Sequence, residues 1–153
     1  MKLSAHLDLS EVTRSDSAKR NGISNMPTPE HIENFKILAE NVFEPIREHF
    51  GVPIRISSGY RSKELNDKTK GASKTSDHCF GRAIDIDNDG TSITNKQIFD
   101  FIKDNLKYKQ LIFEFGTDEN PAWVHVSYDP NNLKNETLKA VKANNVTKYI
   151  KYI

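Results

Sequence analysis

The segment Ser76–Asp87, SDHCFGRAIDID, sets an imidazole at His78 and a carboxylate at Asp85, with Gly81 between them. A second imidazole, His125, stands far along the chain in WVHVS. Zinc takes donors of these kinds, and two histidines with one carboxylate leave one tetrahedral position open. That is the coordination of a hydrolytic site rather than a structural one. On a single helix His78 and Asp85 would share a face but lie roughly 10 Å apart along the axis. Ligands that each sit about 2 Å from one ion cannot span that gap. A loop histidine, a turn at Gly81 and an inward aspartate on the next strand can, because glycine lets the chain bend back with no side chain in the way. Spacing alone leaves the alternative open, since a lone strand histidine is more often a hydrogen-bonded structural residue. Cys79 reads as a buried inert thiol rather than a fourth ligand, its side chain pointing away from that of its neighbour His78.

The elements that must position these groups follow from periodicity. RAIDID reads as a strand with Ala83, Asp85 and Asp87 on one face and Ile84 and Ile86 on the other. AWVHVSY reads as another, with Trp123, His125 and Ser127 opposite Val124 and Val126. QLIFEF is expected to pair with it through the turn GTDENP, and PIRISS to form a further strand. LSEVTRSDSAKRNG suggests one short helix stopped at Gly22, and SKELN a single helical turn. The strongest helical signal runs from Met26 to Gly51, where Ile32, Phe35, Leu38, Val42, Phe43 and Ile46 recur at helical spacing. Thr28 and Pro29 suit its start, and Pro45 should kink or divide it. TNKQIFDFIKDNL is a second amphipathic helix. The lysine-bearing tail from Asn131 reads as a solvated helix face. The class is α+β: one domain over residues 1–153, a central antiparallel sheet with helices on one side.

With 153 residues the chain suits one core. Lys plus Arg is 22 and Asp plus Glu 21, which argues against nucleic-acid binding by bulk charge. Cys79 is the only cysteine, so no intramolecular disulfide supports the fold. No apolar run approaches the ~20 residues of a membrane span, and the first residues carry no long apolar stretch of the secretory kind. Synthesis in the cytoplasm is expected, with any external substrate reached only after release.

SDHCFGRAID also matches the S-x-H-x-x-G-x-A-x-D signature of the zinc D-Ala-D-Ala carboxypeptidase and endolysin peptidases, a superfamily that includes the hedgehog signalling domain's fold. ISSGYRS before it and WVHVS after it resemble that family's flanking motifs, in the same order. The N-terminal LSEVTRSDSAKRNGI, NMPTPE and FEPIREHFG are similar to its small phage and bacterial branch. The resemblance implies that His78, Asp85 and His125 hold one zinc per chain. It makes Arg61 the arginine that polarises the scissile carbonyl, and Ser76 a hydrogen-bond partner of substrate. Without the resemblance, Arg61 reads as a surface ion pair and Ser76 as a turn or cap hydroxyl.

Many relatives carry a glutamate three residues before the last histidine, where this chain has Ala122. A carboxylate must still stand within hydrogen-bond reach of the attacking water. Glu114 is the first candidate, being on the strand expected to pair with WVHVS and facing away from Phe113 and Phe115. Asp118 and Glu119, in the turn, rank below it. The implied activity is hydrolysis of a peptide bond in a peptidoglycan stem peptide or cross-link by a monomer. No separate wall-binding domain, nucleic-acid partner or membrane insertion is expected. The rival is a catalytically inactive zinc-binding module for wall recognition or virion structure, kept open by Ala122.

Overall fold

Helices form wherever a capping side chain meets an apolar repeat. In the computed structural model, which describes residues 1–153, α1 (Leu9–Thr13) opens on a capping box of Asp8 with Glu11, and α2 (Asp16–Arg20) on the Ser15 hydroxyl. Each cap satisfies N–H groups that the first turn leaves without partners. The segment expected as one helix is therefore two, because Asp8 and Ser15 both begin a helix. α3 (Pro29–Leu38) starts at the Thr28 cap, widens into a π-helical turn at Ala39–Phe43 and continues as α4 (Glu44–Phe50). Pro45 has no N–H for the preceding turn, and the wider turn just ahead of it accommodates that loss. α5 (Lys63–Lys68) and α6 (Asn95–Asn105) complete the helices.

One six-stranded sheet has the order β1-β2-β4-β3-β5-β6, with β1 at Ile56–Ser58, β2 at Ala83–Ile86, β3 at Gln110–Glu114, β4 at Trp123–Ser127, β5 at Glu136–Ala143 and β6 at Val146–Lys151. Its pairs are antiparallel except β3 with β5, which run parallel. The sheet is thus mixed rather than antiparallel throughout. The tail is the larger correction: it forms the hairpin β5–β6, not a helix. Thr137, Val141, Val146 and Thr147 supply β-branched residues. Asn144 and Asn145 both take positive φ (54° and 63°), the conformation that a tight hairpin turn requires. Its lysines lie along an edge hairpin, where charge discourages further strand pairing.

Register gives the sheet two unlike faces. Ile84, Ile86, Leu111, Phe113, Val124 and Val126 are fully buried on one, in a single cluster with Phe35, Leu38, Val42, Phe43 and Ile46 and with Ile98, Phe99 and Ile102 of α6. The helices pack on that side, as expected. The other face carries Asp85, His125 and Glu114. A slip of one residue in any of these strands would exchange the two sets.

Candidate metal centre

Antiparallel pairing places Asp85 of β2 directly opposite His125 of β4. His78 comes from outside the sheet, on a single 3-10 turn at Asp77–Phe80. Gly81 ends that turn at φ 72°, where a Cβ would lie 2.3 Å from the His31 carbonyl oxygen. Only glycine fits, and the bend it allows returns the chain into β2. The loop expected for His78 is thus a short helical turn, capped by the Ser76 hydroxyl, which accepts from the His78 N–H at 3.3 Å. Lys109, just before β3, ties the turn down through Asp77 (2.9 Å).

The donor atoms of His78, Asp85 and His125 all lie within 4.8 Å of one another. His125 Nδ1 is 2.9 Å and His78 Nε2 3.3 Å from the same Asp85 oxygen. His78 is buried, and its Nδ1 lies 2.7 Å from the Gly59 carbonyl. That carbonyl can only accept, so Nδ1 carries a proton, and in the neutral imidazole that a metal would take Nε2 presents its lone pair. Nε2 is buried with no hydrogen-bond partner. An orphaned nitrogen beside a carboxylate and a second imidazole is what a metal would satisfy, and the donors fit zinc. Burial would push Asp85 up, yet the two histidines outweigh it and hold the carboxyl well below its usual range. Burial likewise works against charge on His125, but Asp85, with help from Glu114 and Asp77, raises it.

Glu114 pairs with Trp123 and shares the face of His125, two residues further along β4. It is only 7% exposed, and one of its oxygens has no partner. Burial and, less strongly, the Asp85 charge push it up to about 7, against opposing pulls from His125 and Arg61. The Trp123 indole is close enough to oppose the shift too, although its N–H makes no hydrogen bond of ordinary geometry. Asp118 is tied to Lys139 on an exposed turn with its side chain 88% accessible, and Glu119 is exposed. Neither turn carboxylate joins the cluster. Cys79 also stays outside it, its thiol pushed up by burial.

Arg61 forms no surface ion pair. Its backbone N–H donates to the His78 carbonyl, its guanidinium reaches the Ser76 hydroxyl at 3.4 Å, and its Nε is buried without a partner. A polar groove of about 470 Å³, lined by Arg14, Ser57, Ser58, Tyr60 and Lys68, opens beside it. Residues 5–127 match the family model of Peptidase M15. The chain belongs to the M15 peptidase family. No curated protein matches it significantly. M15 peptidases are zinc enzymes, and in this one the matched residues contain the whole donor set.

Sequence reasoning missed the framework of the M15 site. Asn95, fully buried at the start of α6, donates to Asp87 (3.0 Å) and to the carbonyls of Pro121 (3.2 Å) and Ala122 (3.1 Å). It thereby pins the end of β2 to the start of β4, the two strands that carry Asp85 and His125. An asparagine inside a helical repeat gives no signal of this kind. Gly59 was also missed, although a glycine just after a strand hints at close approach. A Cβ there would sit 2.5 Å from the Val12 carbonyl oxygen.

Proposed function

We propose that this M15 peptidase hydrolyses a peptide bond of peptidoglycan, in a stem peptide or cross-link, with one zinc held by His78, Asp85 and His125. The observation that carries the reading is a buried carboxylate with one unpartnered oxygen, Glu114, on the sheet face that carries Asp85 and His125. Zinc, when bound there, supplies Lewis acidity that activates water and polarises the scissile carbonyl. Glu114 accepts a proton from the attacking water and returns it to the leaving amine. Its elevated proton affinity suits both transfers near neutral pH. Arg61 turns its guanidinium, held by Ser76, toward the oxygen on which negative charge develops. Ser76 contributes a further hydrogen bond to substrate. The position that many relatives fill with glutamate is Ala122, whose N–H donates to the Glu114 carbonyl at 2.9 Å. In this proposal the base, Glu114, stands on the adjacent strand instead. Peptidoglycan as substrate, and a lytic role of the phage kind for a monomer, rest on the motif resemblance.

Purified zinc-loaded protein incubated with isolated cell walls should release peptides that mass spectrometry can assign to one bond. Glu114→Gln should keep its zinc and lose about 10²–10⁴-fold in rate. Zinc-loaded wild type that leaves walls of several chemistries intact would refute the enzyme reading and favour a wall-binding or virion module.

A further inference from the structure

The β5–β6 hairpin lies beyond the matched residues 5–127, yet its register brings it onto the face of the metal centre. Trp123 pairs with Glu114, Glu114 with Ala140, and Ala140 with Tyr149. Directly paired residues point to the same side of a sheet, so these four form one row. Strands are spaced by about 4.8 Å, which puts the Cα of Tyr149 roughly 10 Å from that of Glu114. Only a methyl group stands between them, and a phenol is long enough to lean across most of that distance. Ala140 is fully buried while Tyr149 is 53% exposed, so the ring stands at the open edge of this face rather than filling the core. The Tyr149 hydroxyl makes no hydrogen bond within the protein, whereas that of Tyr108 meets Thr137.

The surroundings suggest what this hydroxyl meets. Burial raises the phenol, the charges of Glu114 and Asp85 raise it further, and Arg61 opposes them. With its proton affinity raised, the hydroxyl stays protonated as a donor. An unpartnered donor on this flank calls for an acceptor, and the main-chain carbonyls of a peptide supply one. Accepting the wall-peptidase reading above, we propose that Tyr149 is a substrate-binding residue whose hydroxyl donates to a main-chain carbonyl of the bound peptide beside the scissile bond. The hairpin then forms a wall of the substrate cleft.

The test uses zinc-loaded Glu114→Gln protein, which should bind without turnover, titrated calorimetrically with muropeptides released from purified walls by a muramidase. Adding Tyr149→Phe should weaken binding about 3- to 10-fold, the range for one neutral hydrogen bond. Lys148→Ala, on the opposite side of β6 where it pairs with Val141, should leave affinity unchanged. In the active enzyme Tyr149→Phe should act mainly on KM and leave the pH profile in place. Equal affinity with and without Tyr149→Phe, at equal zinc content, would overturn this role and leave the wall-peptidase reading standing. Absence of muropeptide binding by both zinc-loaded proteins would overturn the wall reading and this inference with it.

Discussion

Replacing Glu114 with glutamine should stabilise the metal-free protein, and only above mildly acid pH. The fold holds this carboxyl up to about 7, against an ordinary value of 4.5, chiefly because it is buried. Below pH 4.5 it is protonated in both folded and unfolded chains and contributes nothing to the pH dependence. Between 4.5 and 7 the unfolded chain releases the proton while the folded chain keeps it, so stability falls as pH rises. Above 7 the full cost is reached, roughly 3 kcal/mol at about 1.4 kcal/mol per pH unit. Glutamine removes that slope. Its buried amide also lacks a partner for at least one atom, but that penalty does not vary with pH. The readout is thus the change with pH in the difference between the two proteins' melting temperatures. For a chain of this size about 3 kcal/mol corresponds to roughly 6–12 °C. Scanning calorimetry on chelator-treated wild type and Glu114→Gln, from about pH 4.5 to pH 8, measures it. A difference constant to within about 2 °C across that range would refute the claim that burial sets the proton affinity of Glu114. With zinc bound the gap should narrow, because the nearby cation favours the ionised carboxylate.

His78→Ala and His125→Ala should each lose stoichiometric zinc by metal analysis after gel filtration, with helical circular dichroism retained; a full complement of zinc in the double variant would exclude these ligands. Gly81→Ala should lower the melting temperature well beyond Gly51→Ala. Both glycines have positive φ, a strain of about 1–2 kcal/mol for alanine, but only Gly81 would also drive a Cβ into the His31 carbonyl. Equal losses would show that the chain yields there freely. Arg61→Ala should reduce kcat by about 10²-fold or more with a smaller change in KM, as expected of a donor whose contact strengthens with the developing charge. Asp118→Asn should leave the rate on cell walls near wild type, because the carboxylate is solvated and tied to Lys139; a dead variant would move the general base into the turn.

The grouping of His78, Asp85 and His125 was legible in part, since spacing allowed it and the motif resemblance singled it out. Alternation in RAIDID and WVHVS fixes which residues face away from the core, and a glycine between His78 and Asp85 marks the only cheap way to fold one toward the other. The same period-2 logic separated Glu114 from Phe113 but failed at Phe115, which leaves the strand at φ 53° and packs against Trp123 on the Glu114 side. The α3–α4 repeat and the α6 repeat were readable for the same kind of reason, since each commits an apolar stripe to one side. The lysine-rich tail was misread because charge on a surface is compatible with either a helix or an edge strand. Its pairing partner, β3, lies over twenty residues away, and only that parallel pairing brings the tail onto the sheet face that carries Asp85, His125 and Glu114. Periodicity also could not say that Asn95 would reach Asp87 and β4, that the Gly59 carbonyl would fix the His78 tautomer, or that burial would lift Glu114 toward neutrality. Residue types and local spacing determined which groups could do the chemistry. Tertiary structure decided how they are oriented and how strongly they hold their protons, because both depend on contacts between segments remote in the chain.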